Sequence, residues 1–163
     1  MNPQTLNLFI VDNNQILVAG LRNYLDKRFA GQLNIFSFYS GKSALKEVDG
    51  NTSIVILDYT LEGENGNSTL ESIKNINPKT EVIMLTSNED IGIAIESYCK
   101  VGTEYVVKGE NTWEKISGLI SRVVMYPVKV LVQEMAISKY LAMFFLTFTV
   151  MAIGTYLCIK YIH

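Results

Sequence analysis

Histidine occurs once in the 163 residues, and that one, His163, closes the sequence. A hydrolase or phosphatase built on an aspartate nucleophile needs a second group placed as general acid and base. Neither a histidine nor a well-placed second acid offers itself, so that reading is set aside. Cysteine is almost as scarce. Cys99 and Cys158 read as two free thiols, one on a predicted helix and one in a long apolar run, and make no disulfide framework. There is no basic run and no pair of aromatics interleaved with Lys or Arg, so nothing suggests a nucleic-acid surface. A signal peptide is also missing: Leu8 to Val11 is too short for its apolar region, and no basic residue precedes it. The soluble part is therefore expected in the cytoplasm, where the sequons Asn51-Thr52-Ser53 and Asn67-Ser68-Thr69 carry no meaning. No internal repeat or low-complexity segment interrupts the chain.

Charge is absent from one long stretch. Residues 140 to 159 form 20 consecutive uncharged positions, about 30 Å of helix at about 1.5 Å per residue, the thickness of a bilayer's hydrocarbon. Lys139 and Lys160 flank the run, with Tyr140, Tyr156 and Tyr161 near its ends as interfacial anchors. The competing reading is a buried core helix, but the run is apolar on every face and cleanly flanked. The expectation is one C-terminal transmembrane helix over 140–160, preceded by a linker or juxtamembrane helix over 127–139 that starts at Pro127. All 16 acids and 13 of the 14 Lys and Arg lie before residue 140. Residues 1–126 are of a size for one domain with its own core.

Within that domain, apolar strand-like runs alternate with amphipathic segments. Strands are predicted at Asn7–Val11, Leu33–Phe38, Ser53–Asp58, Glu81–Leu85 and Glu104–Val107. The first helical face carries Leu17, Leu21, Tyr24 and Leu25. The second starts at Ser40 as N-cap and runs through Ala44, Leu45 and Val48. A third begins after Asn67, a fourth holds Ile91, Ile95 and Tyr98, and a fifth opens at Asn111-Thr112-Trp113-Glu114 as a capping box. Strict alternation implies a doubly wound, five-stranded parallel sheet with helices on both faces.

In such sheets ligands bind beyond the carboxyl ends of the strands. Those ends read Val11-Asp12-Asn13, Leu57-Asp58, Leu85-Thr86 and Val107-Lys108. Two acids, a hydroxyl and an ammonium would then share one edge. Acids with oxygen partners suit a hard cation such as Mg²⁺, and the hydroxyl and ammonium suit a phosphoryl oxygen. Taken singly, each residue has a plainer role: Asp12 a cap for the first helix, Thr86 a strand residue, Lys108 a solvated strand end, Tyr105 core packing.

Taken together, Asp12, Asp58, Asn65-Gly66 eight residues later, Thr86 and Gly102-Thr103-Glu104-Tyr105-Val106-Val107-Lys108 resemble the receiver domains of two-component response regulators. The resemblance covers about residues 5 to 124. Tyr105-Val106-Val107-Lys108-Gly109 is most similar to receivers usually attached to helix-turn-helix DNA-binding domains, and none follows in this sequence. The resemblance implies a flavodoxin-like (βα)5 fold and a phosphoacceptor, Asp58. It implies Mg²⁺ held by Asp12, Asn13, Asp58 and the backbone carbonyl of Thr60. Lys108 would pair with a phosphoryl oxygen. Thr86 and Tyr105 would form the switch, and Thr60 and Asn88 would tune the lifetime of the phosphoryl group. The donor would be a sensor histidine kinase or a phosphotransfer protein. Such a domain assists its own phosphorylation and is otherwise no enzyme.

Two positions depart from the family's pattern. Asn13 stands where a second acid is usual, which removes one negative charge from the cation site; Glu62 is a candidate to restore it. Gly109 stands where many receivers have proline. The sequence thus predicts a membrane-anchored, stand-alone receiver on the cytoplasmic side. It would be read by an unidentified downstream protein, or by a second copy through the face of helix four, strand five and helix five. The rival is a phosphorylation-independent pseudo-receiver acting as a membrane-tethered interaction module, for which Asn13 speaks.

Overall fold

The computed structural model describes residues 5–61, 64–87, 103–125, 139, 141 and 143–151. The fourth predicted helix, Asn88, Glu62 and most of 126–163 lie outside the described residues. The order begins β1 (Leu6–Val11), α1 (Gln15–Arg28), β2 (Leu33–Phe38), α2 (Gly41–Leu45) and β3 (Thr52–Asp58). Then come two short strands, β4 (Thr60–Leu61) and β5 (Glu64–Asn65), α3 (Gly66–Ile76), β6 (Glu81–Thr86) and β7 (Thr103–Val107). A helix over 112–125, here α4, corresponds to the fifth predicted helix.

Five strands make one sheet in the order β2-β1-β3-β6-β7, all pairs parallel. The chain winds outward from β1 in one direction and then, from β3, in the other. This is the doubly wound arrangement expected of the alternation. The five strands lie within a residue of their predicted bounds.

Alternation along the strands divides the core in two. Leu8, Ile10, Ile54, Ile56, Ile83 and Leu85 face α1 and α4, where Leu21, Leu25, Ile116 and Ile120 meet them. Phe9, Val11, Val55, Leu57, Val82 and Met84 face the other way, onto Ala44 and Ile73. Each fully buried Leu or Ile stabilises the fold by roughly 1.5–3 kcal/mol. β3 and β6 are covered on both sides, which is why they read as unbroken apolar runs.

Local capping fits the residue types. Asn14 accepts from the backbone of Ile16 and Leu17, both at 3.1 Å, and so caps α1. Ser40 accepts from the Ser43 amide at 3.2 Å, as its position predicted. α2 is shorter than its apolar spacing suggested. It ends at Leu45, and Val48 is reached by a turn in which the Glu47 and Val48 amides both donate to Ala44.

The chain divides into two units, Met1–Val124 and Met125–His163. In the second, residues 143–151 are helical. Met143, Phe144, Phe145, Leu146, Phe148, Val150 and Met151 there are all more than half exposed. Among the described residues no helix is long and apolar enough to cross a membrane. The 20-residue span expected from the sequence is therefore not seen, and its remaining positions lie outside the described residues.

Candidate functional site

Strand register brings the sequence's candidate residues to one edge. Val11 pairs with Leu57, Asp58 with Leu85, and Thr86 with Val107. The residues that leave β1, β3, β6 and β7 therefore emerge side by side, where a parallel sheet presents its ligand site.

Asp12 and Asp58 are only 1% and 5% exposed. One Asp12 oxygen, Oδ1, accepts the Asn14 amide at 2.8 Å. The other, Oδ2, accepts from Lys108 Nζ at 2.9 Å, and the same ammonium lies 2.9 Å from Asp58 Oδ1. Lys108 is itself fixed by its backbone, whose N–H donates to the Thr86 carbonyl at 2.7 Å. Burial pulls the Lys108 ammonium down, but hydrogen bonds and charge from Asp12 and Asp58 together outweigh it and hold the group above its ordinary value. Two carboxylates face one ammonium, so the cluster has net charge −1 (two negatives, one positive). A site with buried negative charge in excess is arranged to receive a cation.

The other predicted residues are placed as follows. Asn13 is exposed beside Asp12. Thr86 ends β6 and is buried. Tyr105 lies in β7, partly buried against the second core cluster, so its packing role is visible. Thr60 is exposed on β4 and pairs with Asn65 of β5. Among the described residues, no three His, Cys, Asp or Glu side chains gather as a metal site. Two carboxylates and the Asn13 amide nevertheless suit Mg²⁺, which binds through one or two carboxylates and keeps several waters.

Two features were missed from the sequence. Asn14 caps α1, and its amide holds Asp12 in place; the signal was an asparagine directly before an amphipathic run. The segment after Asp58 also folds back on itself. β4 and β5 form an antiparallel pair, and the Gly66 amide returns to the Tyr59 carbonyl at 3.1 Å.

The family model for the response regulator receiver domain matches residues 8–117. This chain belongs to the response regulator receiver family. Among curated proteins, this receiver is similar to the DNA-binding transcriptional regulator NtrC of Escherichia coli (strain K12). The two are 26% identical over 121 residues, covering 73% of this chain and 25% of that protein. NtrC of Salmonella typhimurium gives the same figures. The receiver thus spans about a quarter of the length of the curated relatives it matches.

Among solved structures it is similar to Thermotoga maritima TrrA in complex with Mg²⁺-BeF. The TM-score is 0.62 at 24% identity, covering 73% of this chain and 99% of that one. T. maritima DrrB, an OmpR/PhoB homolog, gives 0.64 at 20%, covering 76% and 54%. A signal receiver domain from Vibrio parahaemolyticus gives 0.63 at 18%, covering 78% and 97%. At these identities the structural likeness speaks for the fold.

Proposed function

We propose that this receiver accepts a phosphoryl group on Asp58 from a histidine kinase or phosphotransfer protein and switches protein–protein contacts. The observation that carries the reading is the position of Lys108, 2.9 Å from both Asp12 and Asp58. In the transfer, the donor's P–N bond breaks and a P–O bond forms to an Asp58 carboxylate oxygen. The leaving nitrogen takes a proton. Lys108 is placed to turn from the carboxylates toward the incoming phosphoryl oxygens, where a charged donor is most effective. Asp12 and Asn13 would hold Mg²⁺ together with Asp58 and the Thr60 carbonyl. When bound, the ion supplies charge neutralisation between the acceptor and the phosphoryl oxygens. Thr86, at the end of β6, would bond the phosphoryl group, Tyr105 would follow it inward, and Thr60 and Asn88 would set the lifetime. NtrC is a DNA-binding transcriptional regulator; the output proposed for this receiver is contact with another protein.

The reading extends to a membrane tether, with the receiver on the cytoplasmic side. It is supported by the 20 uncharged residues of 140–159 and by the large apolar side chains exposed along 143–151. A tether would raise the effective concentration of the receiver near a membrane-bound kinase. After detergent-free lysis and ultracentrifugation the full chain should pellet with membranes, and a chain ending at Tyr126 should not. If both stay in the supernatant, the tether is wrong.

Phosphoryl acceptance is tested by incubating the full chain with phosphoramidate, with and without Mg²⁺, beside Asp58→Ala, and reading intact mass. A Mg²⁺-dependent gain of one phosphoryl group, absent from the variant, is expected. No gain with any divalent metal would favour the pseudo-receiver, for which the neutral Asn13 is the specific observation.

A further inference from the structure

We propose that Gly66 is a positioning residue for Asp58: its bare Cα lets the start of α3 stand against the Asp58–Tyr59 backbone, and that contact sets where the carboxylate stands. The inference rests on the reading of Asp58 as phosphoacceptor. It starts from a close approach of backbone to backbone. A Cβ added at Gly66 would lie 2.8 Å from Tyr59 Cα, 2.8 Å from the Tyr59 carbonyl oxygen and 3.0 Å from the Asp58 carbonyl oxygen. Carbon atoms do not rest that close to backbone atoms, and none of the three belongs to a side chain that could turn aside. Among the described glycines only Gly31 has a positive φ. Gly66 is therefore required for space, not for an unusual backbone angle.

Both sides of the contact are held. On one side the Tyr59 amide donates to the Leu85 carbonyl at 2.8 Å, and Asp58 sits in register with Leu85. On the other, α3 is anchored by buried Thr69 and Ile73. Between them the Gly66 amide bonds the Tyr59 carbonyl, and Thr60 pairs with Asn65. A methyl group at 66 must push the Asp58–Tyr59 peptide away from α3. The Asp58 carboxylate moves with that peptide, off its 2.9 Å contact with Lys108. Transfer to a carboxylate is mainly a matter of placement, and a misplacement of about 1 Å costs on the order of 100-fold in rate.

Gly20 provides the control. A Cβ there meets only the Trp113 ring, at 2.9 and 3.1 Å, which is a side chain on α4 and away from that contact. Gly20→Ala should leave phosphoryl acceptance by the folded protein unchanged, whether the displaced Trp113 ring or the gain in helix propensity decides its stability. The test uses the full chain with phosphoramidate and Mg²⁺, measuring the rate against donor concentration and, in parallel, urea unfolding. For Gly66→Ala the expected result is a fall of roughly 10- to 100-fold in the saturated rate, with the donor KM little changed. Gly20→Ala should keep the saturated rate. Should Gly66→Ala fold too weakly to assay, trimethylamine N-oxide is added to wild type and both variants until urea unfolding shows each folded, and the saturated rates are compared there. A Gly66→Ala chain that reacts as fast as wild type overturns the inference while leaving Asp58 as acceptor. An equal fall in Gly20→Ala overturns it too, because general destabilisation would then explain both. A wild type that accepts no phosphoryl group overturns the inference together with the reading beneath it.

Discussion

The two ends of the central sheet bury polar groups in opposite ways. At the amino end, Asn77 Nδ2 donates to the carbonyls of Asp49, Gly50 and Thr52 at 3.2, 3.3 and 3.1 Å. Thr80 Oγ1 donates to the Thr52 carbonyl at 2.8 Å, and the buried Lys74 ammonium reaches the Thr80 carbonyl at 2.6 Å. The acceptors there are main-chain oxygens that the turns before β3 and β6 would otherwise leave exposed to an apolar interior. At the carboxyl end, side chains face side chains, and one ammonium serves two carboxylates. The first arrangement completes the fold's own hydrogen bonding. The second gathers two carboxylates and an ammonium on the edge where a parallel sheet presents its ligand site. Burial alone therefore does not mark a functional site; charged side chains converging on that edge do.

Removing Lys108 should affect the carboxyl end most. Lys108→Met leaves Asp12 and Asp58 as a buried like-charged pair with no charged donor for the phosphoryl oxygens. Losing one such charged donor costs on the order of 10²- to 10³-fold, so the rate of phosphoryl acceptance should fall by about that much. A variant within a few-fold of wild type would show that the ion pair is structural.

Asn77→Ala probes the amino end. It should cost about 1–3 kcal/mol in urea unfolding, because three carbonyls lose a donor. Phosphoryl acceptance by the folded fraction should be unchanged. A large loss of acceptance would couple the two ends and end the comparison.

The ends should also differ in their response to pH. Lys108 has a folded value raised above its unfolded one. Its contribution is fully present below the ordinary value of about 10.5 and is lost as pH rises through the folded value. Wild type should therefore lose stability on the alkaline side, and Lys108→Met should lack that part of the fall. The smallest effect belongs to Asp49. Hydrogen bonds from Asn51, first from its backbone and then from its side chain, hold this exposed carboxyl below its ordinary value. Its contribution is present above the unfolded value of 3.8 and lost as pH falls through the folded one. Asp49→Asn should slightly flatten the acid limb of the stability curve and leave the alkaline limb untouched.

How much of this was legible in the sequence depends on how local the cause was. Ile54-Val55-Ile56-Leu57 announces a strand buried on both faces, and the polar residue that ends such a run lands on the ligand edge. Asp12, Asp58, Thr86 and Lys108 could be placed from that alone. The pairing of Lys108 with both acids could not, since it depends on the register of β1, β3 and β7. Gly66 could be seen as a marker but not as a contact, because its need is for space beside Tyr59 and not for a turn angle. The β4–β5 pair is two residues long on each strand, too short for any periodicity to show. α2 ends at Leu45, where the Glu47 and Val48 amides both turn back to the Ala44 carbonyl, a turn that an apolar count through Val48 ignores. Residues 140–159 show the limit of composition. An apolar run states what it would bury, not how it is arranged.

The central claim is that Asp58, and not its neighbour Asp12, takes the phosphoryl group. The most direct measurement treats the phosphorylated full chain with borohydride, which reduces an acyl phosphate to the alcohol and releases phosphate, and then sequences the peptides by mass spectrometry. The account predicts reduction at position 58 alone, and only in samples that received both phosphodonor and Mg²⁺. Reduction at position 12, or at neither position in a chain that gained a phosphoryl group, would contradict it.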